Sequence, residues 1–143
     1  GWTDYYTEEI DALYKEADKL NMVVSFHSNV SSGLEQTIEK AVEKYPNLTF
    51  VAAHPREKKL LENHIERLKK YDNYFLDLSG TGISRFGTIK HLVNSVGSEK
   101  ILFGTDYPIS NPKMYVEGVL FEKITDKEKE NILSANAKKI LDL

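Results

Sequence analysis

The stretch Met22–Arg56, MVVSFHSNVSSGLEQTIEKAVEKYPNLTFVAAHPR, reads as one complete strand-helix-strand unit. Met22-Val23-Val24-Ser25-Phe26-His27 is short, apolar and β-branched, as a buried strand should be. Leu34, Ile38, Ala41, Val42 and Tyr45 then fall at helical spacing. Pro46-Asn47 ends that helix, and Leu48 to His54 forms a second apolar run. Two such strands joined by a helix run parallel, because a parallel pair needs a crossover and not a tight turn.

The same unit extends in both directions. Upstream, Thr7 is a plausible N-cap for a helical stripe of Ile10, Leu13, Tyr14, Ala17 and Leu20. Downstream, Leu60, Leu61, Ile65 and Leu68 mark a helix before the strand Tyr74-Phe75-Leu76-Asp77-Leu78. Ile89, Leu92, Val93 and Val96 mark another, ended by Gly97, before the strand Ile101-Leu102-Phe103-Gly104. Thr125-Asp126-Lys127-Glu128 has capping-box form, and the tail to Leu143 reads as helical. Nearly continuous hydrophobicity in the strands predicts a parallel sheet buried on both faces. Strand-helix alternation makes the class α/β, with no linker dividing the chain.

Bulk composition excludes several functions. Among 143 residues there is no cysteine, so disulfides, thiolate metal sites and a cysteine nucleophile are all ruled out. This fits a reducing, cytoplasmic setting. A net charge of -3, with basic residues spread along the chain, argues against nucleic acid as a partner. No apolar run approaches the ~20 residues that span a bilayer. Gly1-Trp2-Thr3-Asp4 resembles neither a signal peptide nor a natural start, and the expectation is a chain that opens inside a larger fold.

Function enters at the strand ends. Each strand finishes on polar or ionisable residues: His27-Ser28-Asn29, His54-Pro55-Arg56, Asp77 with Ser79-Gly80-Thr81, and Thr105-Asp106-Tyr107-Pro108. Parallel strands with crossover helices bring all their C-terminal ends to one rim. His27, His54 and Asp106 should therefore converge. Imidazole and carboxylate suit zinc, manganese or iron. A lone histidine at a strand end is more often structural, and an aspartate there is commonly a turn or cap. Three on successive strands point instead to a site. Asp77 is a weaker candidate, because its direction depends on register. His64 lies within a helical stripe and His91 precedes Leu92 on another helix; both read as surface or packing residues. Tyr107 reads as packing or a pocket wall, and Lys58-Lys59 and Lys69-Lys70 as solvated helix faces.

These residues resemble the second amidohydrolase family, metal-dependent barrel hydrolases and decarboxylases, over almost the whole chain. Val23 to His27 looks like the fifth barrel strand, Phe50 to His54 the sixth, and Tyr74 to Ser79 the seventh. Lys100-Ile101-Leu102-Phe103-Gly104-Thr105-Asp106-Tyr107-Pro108 looks like the eighth and is the most specific piece. Asn131 to Leu141, around Asn136-Ala137, looks like the closing helix. The implied fold is half of a (β/α)8 barrel, four strands equivalent to strands five to eight with outer helices, so that residues 1–143 form a C-terminal half.

The resemblance implies that His27 binds a divalent metal, most simply zinc, with manganese or iron as alternatives. It implies that Asp106 is both metal ligand and proton shuttle. His54 would contact the substrate, a second metal or the reacting water. The implied activity is hydrolysis of a small carbonyl, amide, ester or lactone substrate. Decarboxylation, or a non-catalytic truncated or split barrel subunit, is the alternative. Two departures stand out. His54-Pro55-Arg56-Glu57 lacks the glycine that often follows the sixth-strand histidine, and the first-strand His-x-His pair is absent. A full barrel takes ~250 residues, so the expected partner is an N-terminal half-barrel or a second copy of this chain.

Overall fold

The chain alternates helix and strand because its apolar residues alternate between the two periods, and each switch is punctuated by a cap or a breaker. The computed structural model describes residues 4–28, 34–56 and 59–143, with residues 34–36 described by backbone alone. Gly1-Trp2-Thr3, Asn29, Glu57 and Lys58 lie outside the described residues, as does the Leu34 side chain. The elements are α1 (Glu8–Lys19), β1 (Val23–His27), α2 (Leu34–Lys44), β2 (Thr49–Ala53), α3 (Lys59–Lys70), β3 (Tyr74–Asp77), α4 (Thr88–Val96) and β4 (Ile101–Leu102). They are followed by α5 (Pro112–Phe121), α6 (Asp126–Glu130), a π-helical turn (Asn131–Ala135) and α7 (Asn136–Ile140).

The four strands form one parallel sheet in the order β1-β2-β3-β4. Register aligns Phe26 with Ala52, Ala52 with Leu76, and Leu76 with Ile101. That row, with Phe50 and Tyr74, points at the helices and is buried. Ile38, Ala41 and Val42 from α2, Leu61, Ile65 and Leu68 from α3, and Ile89, Leu92 and Val93 from α4 complete the core. The next row, His27, Ala53, Asp77 and Leu102, lies on the opposite face. That face is not covered as the near-continuous hydrophobicity predicts: Ser25 and His27 are exposed and Phe75 and Asp77 half-buried. Val51 and Leu102 on the same face are buried, so the cover there is partial. The architecture is an α/β half barrel.

Local chemistry explains the element ends. The Thr7 hydroxyl accepts from Ile10 N–H and starts α1. Thr125 and Glu128 close a reciprocal capping box at α6. Asn73 donates its side-chain amide to the carbonyls of Val42, Tyr45 and Leu48, which satisfies the end of α2 and the turn into β2. Asn136 does the same for Ser98 and Ile101, tying the closing helix to β4.

Several expectations need correction. Leu13 and Leu20 lie on the α1 stripe but are exposed, because α1 has neighbours on one side only. β4 stops at Leu102, and Phe103 N–H instead donates to the Ile132 carbonyl of the π-helical turn. The tail is helical as expected, but this turn interrupts it. Helix α5 was not expected, since its apolar residues follow no single face. Its signals were Asn111, whose side chain caps it, and Pro112 in the first turn. His64 is buried and paired through Nδ1 with the Tyr74 hydroxyl, whereas His91 is exposed against Glu62. Among the described residues no helix is long and apolar enough to cross a membrane.

Candidate active site

Parallel pairing places the ends of β1, β2 and β4 on one rim, and His27, His54 and Asp106 all belong to it. His27 is the last residue of β1 and lies on the open face of the sheet. His54 follows the last residue of β2, and simple alternation would turn it toward the helices. It does not continue the alternation, because its backbone is left-handed, with φ 74°. Its ring instead meets that of His27 edge to face, with centroids 4.6 Å apart. Asp106 is also left-handed, with φ 59°, a region that aspartate tolerates better than most residues. Its carbonyl accepts from Ile109 and Ser110, which fixes the turn after β4.

The His54 ring is held from behind. Its Nδ1 lies 3.1 Å from both the carbonyl and the hydroxyl of Ser79. A carbonyl only accepts, so this bond puts the proton on Nδ1 and the lone pair on Nε2. Ser28 donates its hydroxyl to the His54 carbonyl at 2.7 Å. Both serines are buried. The Tyr115 hydroxyl donates to the Gly80 carbonyl and so clamps the Ser79-Gly80 turn from α5.

Gly80 makes this packing possible. It is left-handed at φ 66°, and a Cβ there would lie 2.4 Å from His54 Nδ1. Gly80→Ala is therefore expected to displace the His54 ring and destabilise the fold. The backbone strain alone costs about 1–2 kcal/mol. Urea unfolding and the His54 ring resonances check this. An unchanged midpoint with unmoved resonances would mean that the close approach does not hold the ring.

Asp77 has a different place. It shares the open face with His27, and register sets it opposite Ala53 and Leu102. Its carboxylate accepts from Ser79 N–H, and it lies so close over Gly104 that a Cβ there would meet Oδ1 at 2.2 Å. Gly104 in the Phe103-Gly104-Thr105-Asp106 run is thus required for Asp77 to reach the Ser79 turn.

Sequence reading passed over Arg56. Its Nη2 donates to Nε2 of His27 at 2.7 Å, and Nε and Nη2 both donate to the Ser28 carbonyl. Nη1 lies 3.4 Å from the Thr81 hydroxyl. A guanidinium has donors only, so Nε2 of His27 must be the unprotonated nitrogen. Desolvation, then the nearby His54 and Arg56, hold the His27 imidazole below its usual pKa, while Asp106 pulls the other way. The signal was present in the sequence, as a cation two residues beyond a rim histidine. Tyr107, by contrast, is exposed.

Among the described residues no three histidine, aspartate or glutamate side chains form a group able to hold a metal ion. The donor types on the rim do suit a divalent ion: a neutral imidazole and a nearby carboxylate. They are two donors, whereas catalytic zinc normally has three from the protein.

The sheet, its covering helices and its rim define the chain as part of a (β/α) barrel with the candidate side chains at the C-terminal strand ends. The chain belongs to the amidohydrolase family, whose model matches residues 2–143. Solved structures show the same fold at low identity. An uncharacterized TIM-barrel protein from Bordetella bronchiseptica is 22% identical with a TM-score of 0.82, covering 98% of this chain and 52% of that one. A 2,6-dihydroxybenzoate decarboxylase from Rhizobium is 14% identical with a TM-score of 0.73, covering 99% and 58%. A dihydroxybenzoic acid decarboxylase from Polaromonas, with bound manganese and the inhibitor 2-nitroresorcinol, is 16% identical with a TM-score of 0.69, covering 98% and 55%. The chain spans a little over half the length of each. No curated protein matches the sequence.

Proposed function

We propose that this chain is the C-terminal half of a divalent-metal-dependent amidohydrolase-type enzyme acting on a small carbonyl, amide, ester or lactone substrate. The observation that supports this best is the meeting of His27 and His54, with Asp106 near enough to act on His27, at one rim of a parallel sheet. His27 and Asp106 are the residues that would hold the ion. Zinc is the simplest choice, and manganese has precedent in the Polaromonas structure. A bound divalent ion supplies Lewis-acid polarisation of the substrate's carbonyl or carboxylate. Asp106 accepts the proton of the attacking water and returns it to the leaving group. His54, fixed by Ser79 at Nδ1, meets the substrate or the reacting water through Nε2. In its neutral form that nitrogen accepts a hydrogen bond, and it steadies an oxyanion only when protonated.

Decarboxylation is the second reading, favoured by two of the structures described above being decarboxylases of dihydroxybenzoates. On that reading the bond to the carboxylate breaks with loss of CO2, Asp106 passes to that carbon a proton it has first taken from water or from a substrate hydroxyl, and the neutral His54 Nε2 suits a phenolic hydroxyl. Either reading needs more donors than the described residues offer, so the partner is an N-terminal half-barrel, in cis or as a second chain, or another copy of this one. A non-catalytic subunit would bind metal weakly and only associate.

Metal content and initial rates, with the other half supplied, separate these readings. His27→Ala is expected to lower metal occupancy, and His54→Ala to spare it while slowing turnover. Chelation should abolish the rate and added metal restore it. Full activity in excess chelator, or loss of metal from His54→Ala but not from His27→Ala, would refute the assignment.

A further inference from the structure

Helix α5 is held to the rest of the chain by one side only. Val119 is fully buried, the Tyr115 hydroxyl donates to the Gly80 carbonyl, and the buried Glu122 at the helix end accepts from Gly87 N–H. The other side carries Met114, Leu120 and Phe121 at 69%, 46% and 80% exposure. Phe86 lies against Phe121, with ring centroids 6.0 Å apart, and is itself exposed, which widens the apolar surface. Single apolar side chains on a surface are ordinary, whereas a contiguous group marks a contact face. Lys113 and Glu117 flank this one, both exposed and neither in an ion pair among the described residues. We propose that this face of α5 docks on the same face of a second copy of the chain, the two helices running antiparallel about a two-fold axis.

Charge fixes the orientation. Residues three and four apart share a helix face, so Met114, Gly118 and Phe121 form one stripe and Lys113, Glu117 and Leu120 the stripe beside it. A two-fold contact joins a patch to itself, so whatever residue i meets, its counterpart meets in return. In antiparallel order about the middle of the helix, Lys113 of one copy lies opposite Glu117 of the other, twice over. A parallel pairing would set lysine against lysine and glutamate against glutamate. Shape agrees with charge. A Cβ on Gly118 would meet nothing within 4 Å, and Gly118 lines a hollow of about 130 Å³ with Ile83, Ser84, Met114 and Tyr115. In the antiparallel pairing Met114 of the second copy falls over Gly118 and has this hollow to enter. The apolar stripe supplies the affinity and the charges set the register, because exposed ion pairs by themselves contribute little. The face contains none of the rim residues, so the inference stands apart from the proposed reaction.

Sedimentation equilibrium of the chain tests it, and the unmodified chain is expected to dimerise reversibly. Lys113→Glu leaves the flank wholly acidic and Glu117→Lys leaves it wholly basic. Each should weaken self-association by about tenfold. An equimolar mixture of the two should recover the affinity as a mixed dimer. The double exchange, Lys113→Glu with Glu117→Lys, should match the unmodified chain. Both positions are exposed, so the fold is not at risk. A chain that stays monomeric overturns the inference. So does a dimer that neither single variant weakens, which would put the contact on another surface such as the open face of the sheet, and so does a weakened pair whose mixture fails to recover.

Discussion

Asp106→Asn is expected to lower turnover by about 10²–10⁴-fold, the range that a positioned proton carrier contributes. The substitution is clean because asparagine also tolerates the left-handed backbone that Asp106 adopts at φ 59°. The turn that it supports depends on its backbone carbonyl, which accepts from Ile109 and Ser110 and is unchanged by the mutation. What is lost is the negative charge beside His27 and the ability to take a proton. The rate should therefore fall further than in His27→Ala compared at saturating metal, because Asp106→Asn removes a ligand charge and the proton acceptor together. Steady-state rates on the assembled enzyme, with circular dichroism as the check on folding, decide it. Full activity in Asp106→Asn would remove Asp106 from the chemistry.

The second large effect concerns acid stability and arises on helix α3. His64 is buried under α3, with Nδ1 on the Tyr74 hydroxyl and Nε2 without a partner among the described residues. Burial, with the charges of Arg67 and Arg56 adding, pushes its imidazole down to about 3. In the unfolded chain a histidine titrates near 6.5. Above that pH both states are neutral and the full stability is present. Below it the unfolded chain takes up a proton that the folded chain refuses. Stability therefore falls as pH drops, by ~1.4 kcal/mol per unit, until the folded-state value is reached. His64→Gln keeps a polar group beside Tyr74 and cannot titrate. Between pH 6.5 and 5.0 the wild type should lose ~2 kcal/mol more than this variant in urea unfolding. Equal losses would mean that His64 finds a way to be charged in the folded state.

His64 also shows where sequence reading runs short. Its place on a helical stripe was legible, but whether that position faced solvent or Tyr74 was not. His91, next to Leu92 on α4, is exposed. The difference comes from which helix faces meet the sheet, and that depends on crossover geometry. Helix α5 escaped notice for a related reason: it is apolar on several sides, so periodicity has no face to report. Its Asn111 cap and Pro112 were the readable signs.

The sequence by itself determined the strand-helix alternation, the parallel order of the strands and the gathering of His27, His54 and Asp106 at one rim. Hydrophobic period is local, and a parallel sheet leaves its strand ends no other place to go. Only the tertiary structure decided how those side chains face one another. His54 turns toward His27 because a left-handed residue breaks the strand's alternation, and Gly80 leaves room for the ring behind it. Asp77 turns to the Ser79 turn because Gly104 lets it pass. Arg56 reaches His27 because β1 and β2 end side by side at a register that no single strand encodes. Each of these depends on atoms distant in sequence and close in space, and pattern along the chain carries no record of such distances.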